Sequence, residues 1–575
     1  MQTETGKECD LIMKGGIASG IVYPRAVLAL KDAGYRFRCI GGTSAGAIAA
    51  AATAAAEYGR ETGGFDKLAA LNDRLCEEGF LRRLFQPSAK TRALWEVASA
   101  AFLDAHAAPK IVRTAWAMAR WMPMALSAGG AVGTLGGAIL ARWLGADAGG
   151  LRRGLFLSVC GLGGAGVVAT GTLLRQLLKH VPENAFGICN GHAETPDPNH
   201  PALTDWLIAE IEGIGGKPDG AGPLTFGDLE CQGVRLQMMT TDVSRELPYA
   251  LPFNNREFLF CEREMEQFFP ALIVRHLVDK AHISARITPP PGFYFLPPAA
   301  DLPVVFAMRL SLSFPVLISA VPLYTLNFAK MQTGQALGKH WFSDGGLCSN
   351  FPIHFFDAWL PARPTFGITL TAGDTGPAVR LPRAGEIAPK ACHALTDLGG
   401  FLGALVSTMQ NYRDNLQAQM PSYRERIVQV RLGRGEGGLN LEMSAAALES
   451  AAQKGADAGR VLAEEFRWDA HQWTRFRVLM ARLETELRQM DARLQSKPFD
   501  FDAPTPDGLR LPYARSRRWR RQAQQVLCRI HALMQDWPEG VFQDDCPKPL
   551  SELRLTPCLS SEGAPAKEGR RPAVD

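Results

Sequence analysis

The sequence predicts an α/β sandwich on a mostly parallel sheet, interrupted by a helical insert and followed by C-terminal helices. Three observations carry this reading. Short apolar runs alternate with helical stretches over the first sixty residues, the same alternation returns after about residue 226, and the part between loses it and holds two long uncharged segments.

Cys9 to Met13 reads as a buried strand, Pro24 to Ala33 as a helix with proline near its start, and Tyr35 to Ile40 as a second strand. Ala45 to Tyr58 follows as a helix made mostly of alanine, the best helix former. Later, Val234 to Thr240, Phe366 to Thr371 and Ile427 to Leu432 read as strands, and Val304 to Ser311 as a helix or strand entering a turn. A helix from about Ser444 to Phe466 closes this domain. Two Arg-dense amphipathic helices, Trp468 to Leu494 and Ala514 to Gln535, come after it, their arginines reading as a solvated face rather than a lipid-binding patch.

Trp121 to Ala141 and Gly154 to Leu174 carry no charge, and each is long enough at 1.5 Å per residue to cross a hydrocarbon core of about 30 Å. Gly129, Gly133 and Gly137 recur every fourth residue, as do Gly161, Ala165 and Ala169, which is the spacing that lets helices approach closely in lipid. A transmembrane hairpin is therefore expected, against the alternative of a glycine-rich hairpin buried in a soluble insert. Basic residues flank the pair and also occupy its loop, so charge fixes no orientation. The N-terminus lacks the pattern of a secretory signal, which points to a cytoplasmic catalytic domain on a membrane. The formal net charge of +4 is small for 575 residues and gives no support for nucleic-acid binding. The 12 cysteines include no CxxC pair, which argues against a zinc ribbon or a disulfide scaffold.

The chemistry centres on Gly42-Thr43-Ser44-Ala45-Gly46, a G-x-S-x-G pentapeptide where a strand meets a helix. A nucleophile on such a turn needs small neighbours, and the helix after it points its N-terminus at a forming oxyanion. The glycines do not end in the Lys-Ser or Lys-Thr of a phosphate loop, nor do they fit a dinucleotide fingerprint. The base has two kinds of candidate. His340, His354 and His393 come late enough in the chain, but each reads better as a surface or satisfied core histidine. Asp344, followed by Gly345 and Gly346 in WFSDGGLCSNFPI, can hold a carboxylate in a tight turn and act as base once its environment lifts its pKa. A third piece is the glycine-rich loop MKGGIASG, whose amides at Gly15, Gly16 and Ile17 can form an anion nest.

In the order of these three pieces the chain resembles the patatin-like phospholipases. That resemblance implies a three-layer α/β/α sandwich, Ser44 as nucleophile, Asp344 as base of a Ser-Asp dyad without histidine, and Gly15, Gly16 and Ile17 as the oxyanion loop. The segments RLSLSFPVLISAVPLY (309–324), PLTFGDL (223–229) and MMTTDVS (238–244) and the helix after Gly438 are similar to family blocks as well. The domain layout expected from it is a catalytic domain in two parts, 8–64 and 200–466, split by the insert at 65–199, with a helical region at 467–545 and a disordered tail at 546–575. The implied activity is hydrolysis of acyl esters in membrane glycerolipids through an acyl-enzyme, with no metal and no organic cofactor, and with a lipid bilayer as the partner surface.

The chain departs from the family's G-G-G-x-Arg/Lys-G loop, because Gly15-Gly16-Ile17-Ala18-Ser19-Gly20 has lost one glycine and the basic residue. A β-branched Ile17 disfavours positive φ, and no cation assists at position 19. Two other readings follow. One is a catalytically silent, membrane-anchored scaffold with a patatin fold, and the other is a soluble thioesterase or protease with a histidine triad.

Overall fold

The computed structural model describes residues 7–548 except 17, 101–109, 144–149, 194, 196, 198, 219, 285–286, 327–336, 374–375, 384–385, 387–397, 434, 439, 497–516 and 545. Ile17, His393 and nearly all of the tail expected to be disordered lie outside the described residues. The opening of the chain forms β1 (Lys7–Met13), α1 (Val22–Asp32), β2 (Tyr35–Gly42) and α2 (Ala45–Tyr58), so the sequence reading of these four elements agrees to within two residues at nearly every boundary.

The other strands are β3 (Gly187–Cys189), β4 (Arg235–Asp242), β5 (Leu247–Leu251), β6 (Phe258–Cys261), β7 (Phe293–Phe295), β8 (Val316–Ile318) and β9 (Val321–Leu326), followed by β10 (Leu337–Asp344), β11 (Thr365–Ala372), β12 (Val379–Arg380) and β13 (Ile427–Leu432). The described residues form an 11-stranded sheet in the order β12-β13-β11-β1-β2-β4-β10-β9-β6-β7, with β5 also on β4, and β3 pairs with β8 apart from it. β13, β11, β1, β2 and β4 run parallel as its centre. From β10 outward the pairing is antiparallel. A parallel centre must be covered on both faces, and β1 shows how. Cys9, Leu11 and Met13 enter the main core with α1 and α2, whereas Ile12 joins a second cluster of Met239, Phe351, Ile353, Phe355, Tyr423 and Ile427.

Close backbone approach explains several glycines in the cover. The helix Ala445–Glu465 lies on α1 so tightly that a Cβ at Gly455 or Gly459 would run into the carbonyl oxygens of Val22 or Ala26. On the other face, Asp357 accepts from Arg426 at 2.8 Å and pairs with Arg475 at 3.0 Å, which ties the helix Trp468–Ser496 to the sheet. After α2, the helix α3 (Gly64–Leu75) and residues Leu84, Phe85 and Trp95 still belong to the main core. Another part of the expected insert at 65–199 holds the two apolar segments.

That part is a pair of long helices, Pro123–Trp143 and Gly150–Arg175. They meet on the face that the four-residue spacing picks out: a Cβ at Gly129 or Gly133 would strike the backbone carbonyls of Gly164 or Cys160, and one at Gly137 the Cys160 side chain. Val132, Leu135, Ile139, Val159, Leu162 and Val167 face outward and are exposed. Both helices are long and apolar enough to cross a membrane.

Candidate active site

β2 ends at Gly42, and the chain must turn within two residues to enter α2 at Ala45. The turn works because a Cβ at Gly42 would strike the Gly46 carbonyl, and one at Gly46 the Met13 carbonyl at the end of β1. Between the two glycines Ser44 takes φ 55° and ψ −131°, a conformation costly for any residue with a side chain. Its own N–H donates to Ser311 Oγ at 3.3 Å. Ser44 is buried, and its hydroxyl stands at the N-terminal end of α2, where the first amides have no partner within the helix.

Sheet register brings Asp344 to this point. Gly42 pairs with Met238 on β4, and two residues further along β4 Thr240 pairs with Asp344 on β10. Asp344 thus stands level with Ser44, one strand removed. Its backbone is held by N–H donation to Ser313 O at 2.9 Å and by Thr241 Oγ1, which donates to its carbonyl at 3.0 Å. Gly345 follows because a Cβ there would hit the Met239 carbonyl, and the Gly346 N–H donates to Asp344 Oδ1 at 2.6 Å.

Burial lifts the Asp344 carboxyl to about 6, against the neighbouring Ser44 hydroxyl and the Gly346 N–H, which both favour its ionised form. Ser44 is close enough to exert that effect, yet Oδ2 has no partner in full hydrogen-bond geometry. Contacts of this kind commonly tighten only around a bound substrate. The arrangement leaves Oδ2 as the open acceptor next to a serine hydroxyl.

The glycine-rich loop closes the third side. Gly15 lies so near the elbow that a Cβ there would meet Ser44 Cβ at 3.0 Å. Its N–H donates to Asn350 O at 2.8 Å, so this amide, expected to hold an oxyanion, is already engaged. No described hydrogen bond occupies the Gly16 N–H. The same Asn350 carbonyl accepts from Thr43 Oγ1 at 3.0 Å. Asn350 is held in turn by Asp414, whose carboxylate accepts from Asn350 N at 2.6 Å, Phe351 N at 2.8 Å and Ser349 Oγ at 2.8 Å.

Sequence reasoning did not single out Asn350 or Asp414; 64 residues separate them, and no local pattern marks the pair. The 309–324 block was visible only through resemblance. It supplies Ser311 to the elbow and, through the Ser313 carbonyl, a brace for β10 that also accepts from Ser343 Oγ at 2.8 Å. Arg309 is wholly buried behind it, donating to the carbonyls of Asn190 at 2.8 Å and Ser319 at 2.9 Å.

The two described histidine candidates, His340 and His354, have other surroundings. His340 lies four residues, about 13 Å, back along β10, with its ring nitrogens 3.0 Å from Asp242 and 2.8 Å from Thr325. His354 is part-buried beside Phe355, and desolvation pushes it down to about 4. An apolar cavity of about 90 Å³ opens beside Ala45, lined by Ile48, Ala49 and Ala52 of α2, Leu68 of α3, Leu207 and Leu312. The alanines of α2 leave this space because they stop at one methyl. Among the described residues no group of His, Cys, Asp and Glu is placed to hold a metal ion.

Comparison with known proteins fits this geometry. The profile of the family described as "Patatin-like phospholipase" matches residues 11–122, which include the glycine-rich loop and the elbow. A relative described as "RpoH suppressor", from Rhizobium meliloti (strain 1021), is 36% identical over 97% of this chain and 100% of its own length. The chain belongs to the patatin-like phospholipase family. Among solved structures it is similar to VipD from Legionella pneumophila, at 12% identity and TM-score 0.30 over 86% of this chain and 81% of that one. It is also similar to the type III effector protein ExoU, at 14% identity and TM-score 0.28 over 92% of this chain and 78% of that one.

The backbone of Ser44 yields a stability test. Ser44→Gly relieves the strained φ, so its free energy of unfolding, measured by urea titration, should rise by about 1 kcal/mol. Ser44→Ala keeps the strain and should leave stability within about 0.5 kcal/mol of wild type.

Proposed function

We propose that this patatin-like chain is a serine acyl-ester hydrolase acting on membrane glycerolipids through a Ser44-Asp344 dyad and an acyl-enzyme. The observation that carries the reading is Ser44, strained on its elbow and level across β4 with a buried carboxyl lifted to about 6. Ser44 Oγ attacks the ester carbonyl and passes its proton to Asp344 Oδ2. The oxyanion is met by the Gly16 amide and by the unpaired amides at the start of α2, beginning with Ala45. Asp344 then gives the proton to the leaving alcohol, and water, activated by the same carboxylate, releases the acid. The cavity beside Ala45 suits the acyl chain, being apolar and next to the nucleophile.

The long helices at 123–143 and 150–175 serve as a membrane anchor in this reading. Their outward faces expose branched aliphatic side chains that a soluble insert would bury. With the anchor in place the catalytic domain works at a bilayer, on the cytoplasmic side. The silent-scaffold reading has one observation in its favour, the engagement of the Gly15 amide by Asn350, and the same experiment decides between them.

Labelling with a fluorophosphonate, followed by peptide mapping, should place an adduct on Ser44, absent in Ser44→Ala and slowed by about 10²-fold or more in Asp344→Asn. Correctly folded wild type that takes no label would favour the scaffold. The rate should also follow pH with a defined sign. The base must be ionised to accept a proton, so activity on a soluble ester should be full above the Asp344 pKa of about 6 and fall as pH drops through it. A histidine-dependent triad would instead survive Asp344→Asn. The intact chain should resist carbonate extraction from membranes, and deleting residues 121–174 should free it.

A further inference from the structure

The helix Leu398–Gln419 has two unlike sides. Leu398, Leu402, Leu405, Met409, Tyr412 and Leu416 recur at alternating spacings of four and three, and all are exposed, Met409 at 75%. At roughly 100° per residue they fall within one narrow arc, with exposed Phe401 at its edge. A stripe of that kind normally faces a core. On roughly the opposite side of the helix stands Asp414, buried, its carboxylate holding Ser349, Asn350 and Phe351. Asn350 in turn holds Gly15 and Thr43. The helix is therefore gripped by the active-site loops on its polar side and, among the described residues, bare on its apolar one.

We infer that this bare face inserts among lipid chains and seats the mouth of the active site on the bilayer, independently of headgroup charge. The charges on the helix select lipid over other occupants. Residues 398–412 carry none, and Arg413 and Asp414 are its only charged residues. A partner helix in a coiled coil would find no run of flanking charges to fix its register or direction. Binding driven by anionic headgroups would need a row of Lys or Arg, which is missing. Hydrocarbon requires neither, and Tyr412 adds a ring with a polar tip suited to the water boundary. The two-helix anchor tethers the chain but does not orient the site. A second contact, joined to the oxyanion loop and the elbow through Asp414 and Asn350, does. The purpose assigned to this contact rests on the hydrolase reading, while its geometry does not.

The test uses the full chain reconstituted into vesicles of phosphatidylcholine, alone or mixed with phosphatidylglycerol. A photoreactive benzoylphenylalanine at position 405 or 409 should form adducts with lipid, to within twofold the same in both compositions, and one at position 410 should form several-fold fewer. Adducts with a second copy of the chain, adducts that need the anionic lipid, or equal labelling at all three positions would overturn the inference. This readout needs no catalysis, so it stands or falls apart from the hydrolase reading. In activity, Leu405→Gln with Met409→Gln should lower the rate on vesicle lipid at least tenfold and change the rate on a water-soluble short-chain ester by less than twofold. Equal losses on both substrates, or none on vesicles, would assign the stripe another role.

Discussion

The site depends on one backbone carbonyl, that of Asn350. It accepts from the Gly15 N–H at 2.8 Å and from Thr43 Oγ1 at 3.0 Å, and so joins the loop after β1, the elbow after β2 and the segment after β10. Each bond contributes only about 1 kcal/mol net, but leaving either buried donor without a partner costs about 1–3 kcal/mol. The carbonyl stays in place because Asp414 grips the amides on either side of the Asn350 peptide. Asp414 is itself buried, and desolvation raises its pKa against the hydrogen bonds and Lys14 that favour its charge. A carboxylate that receives three donors while facing a nearby lysine is a polar centre with its needs met, which is the condition under which a buried charge is tolerable.

Around that centre the chain holds two unfavourable states at once. A non-glycine residue in the Ser44 conformation costs about 1–3 kcal/mol. The lift of Asp344 from 3.8 to about 6 corresponds to about 3 kcal/mol against its ionised form. Their sum is a sizeable part of the 5–15 kcal/mol that stabilises a typical domain. Both are sustained because the surroundings leave no room for relaxation. Gly42 and Gly46 sit against backbone carbonyls, Gly345 against Met239, and β10 is pinned at Ser313. Removing one of these glycines would not loosen the turn; it would push two main chains apart.

What the sequence made legible follows the range of the interactions. β1, α1, β2 and α2 were readable because strand and helix periods act over a few residues, and the elbow because its glycines answer to neighbours within four positions. Asp344 was readable as a candidate base from its Asp-Gly-Gly setting, but only the register between β2, β4 and β10 places it level with Ser44, and register belongs to three segments about 100 residues or more apart in the chain. The strands β6 to β9 are three to six residues long and escaped notice; runs so short carry little alternation to detect. The helix Leu398–Gln419 was missed for a different reason. Its three glycines, at positions 399, 400 and 403, lower helix propensity, and its apolar stripe serves no core. Within the expected insert at 65–199, Phe65, Leu68 and Trp95 pack into the main core, a long-range contact that no local pattern in the sequence reveals.

The same contrast separates the two kinds of apolar surface on this molecule. In α2 the small residues leave a cavity inside the fold, and in the 123–143 helix they let a neighbouring backbone approach closely. Alanine and glycine thus perform opposite tasks, leaving space beside α2 and allowing close backbone approach in the 123–143 helix. Large residues follow the reverse logic. On the outward face of the hairpin and on the 398–419 helix, large side chains such as Val132, Ile139, Leu162, Leu402 and Met409 are left exposed. Exposed surface of that kind is costly in water and favourable in hydrocarbon. The chain thus confines its strained serine and its raised carboxyl to a buried site while leaving these two apolar faces exposed, and it is this contrast in polarity on which the proposed contact with lipid rests.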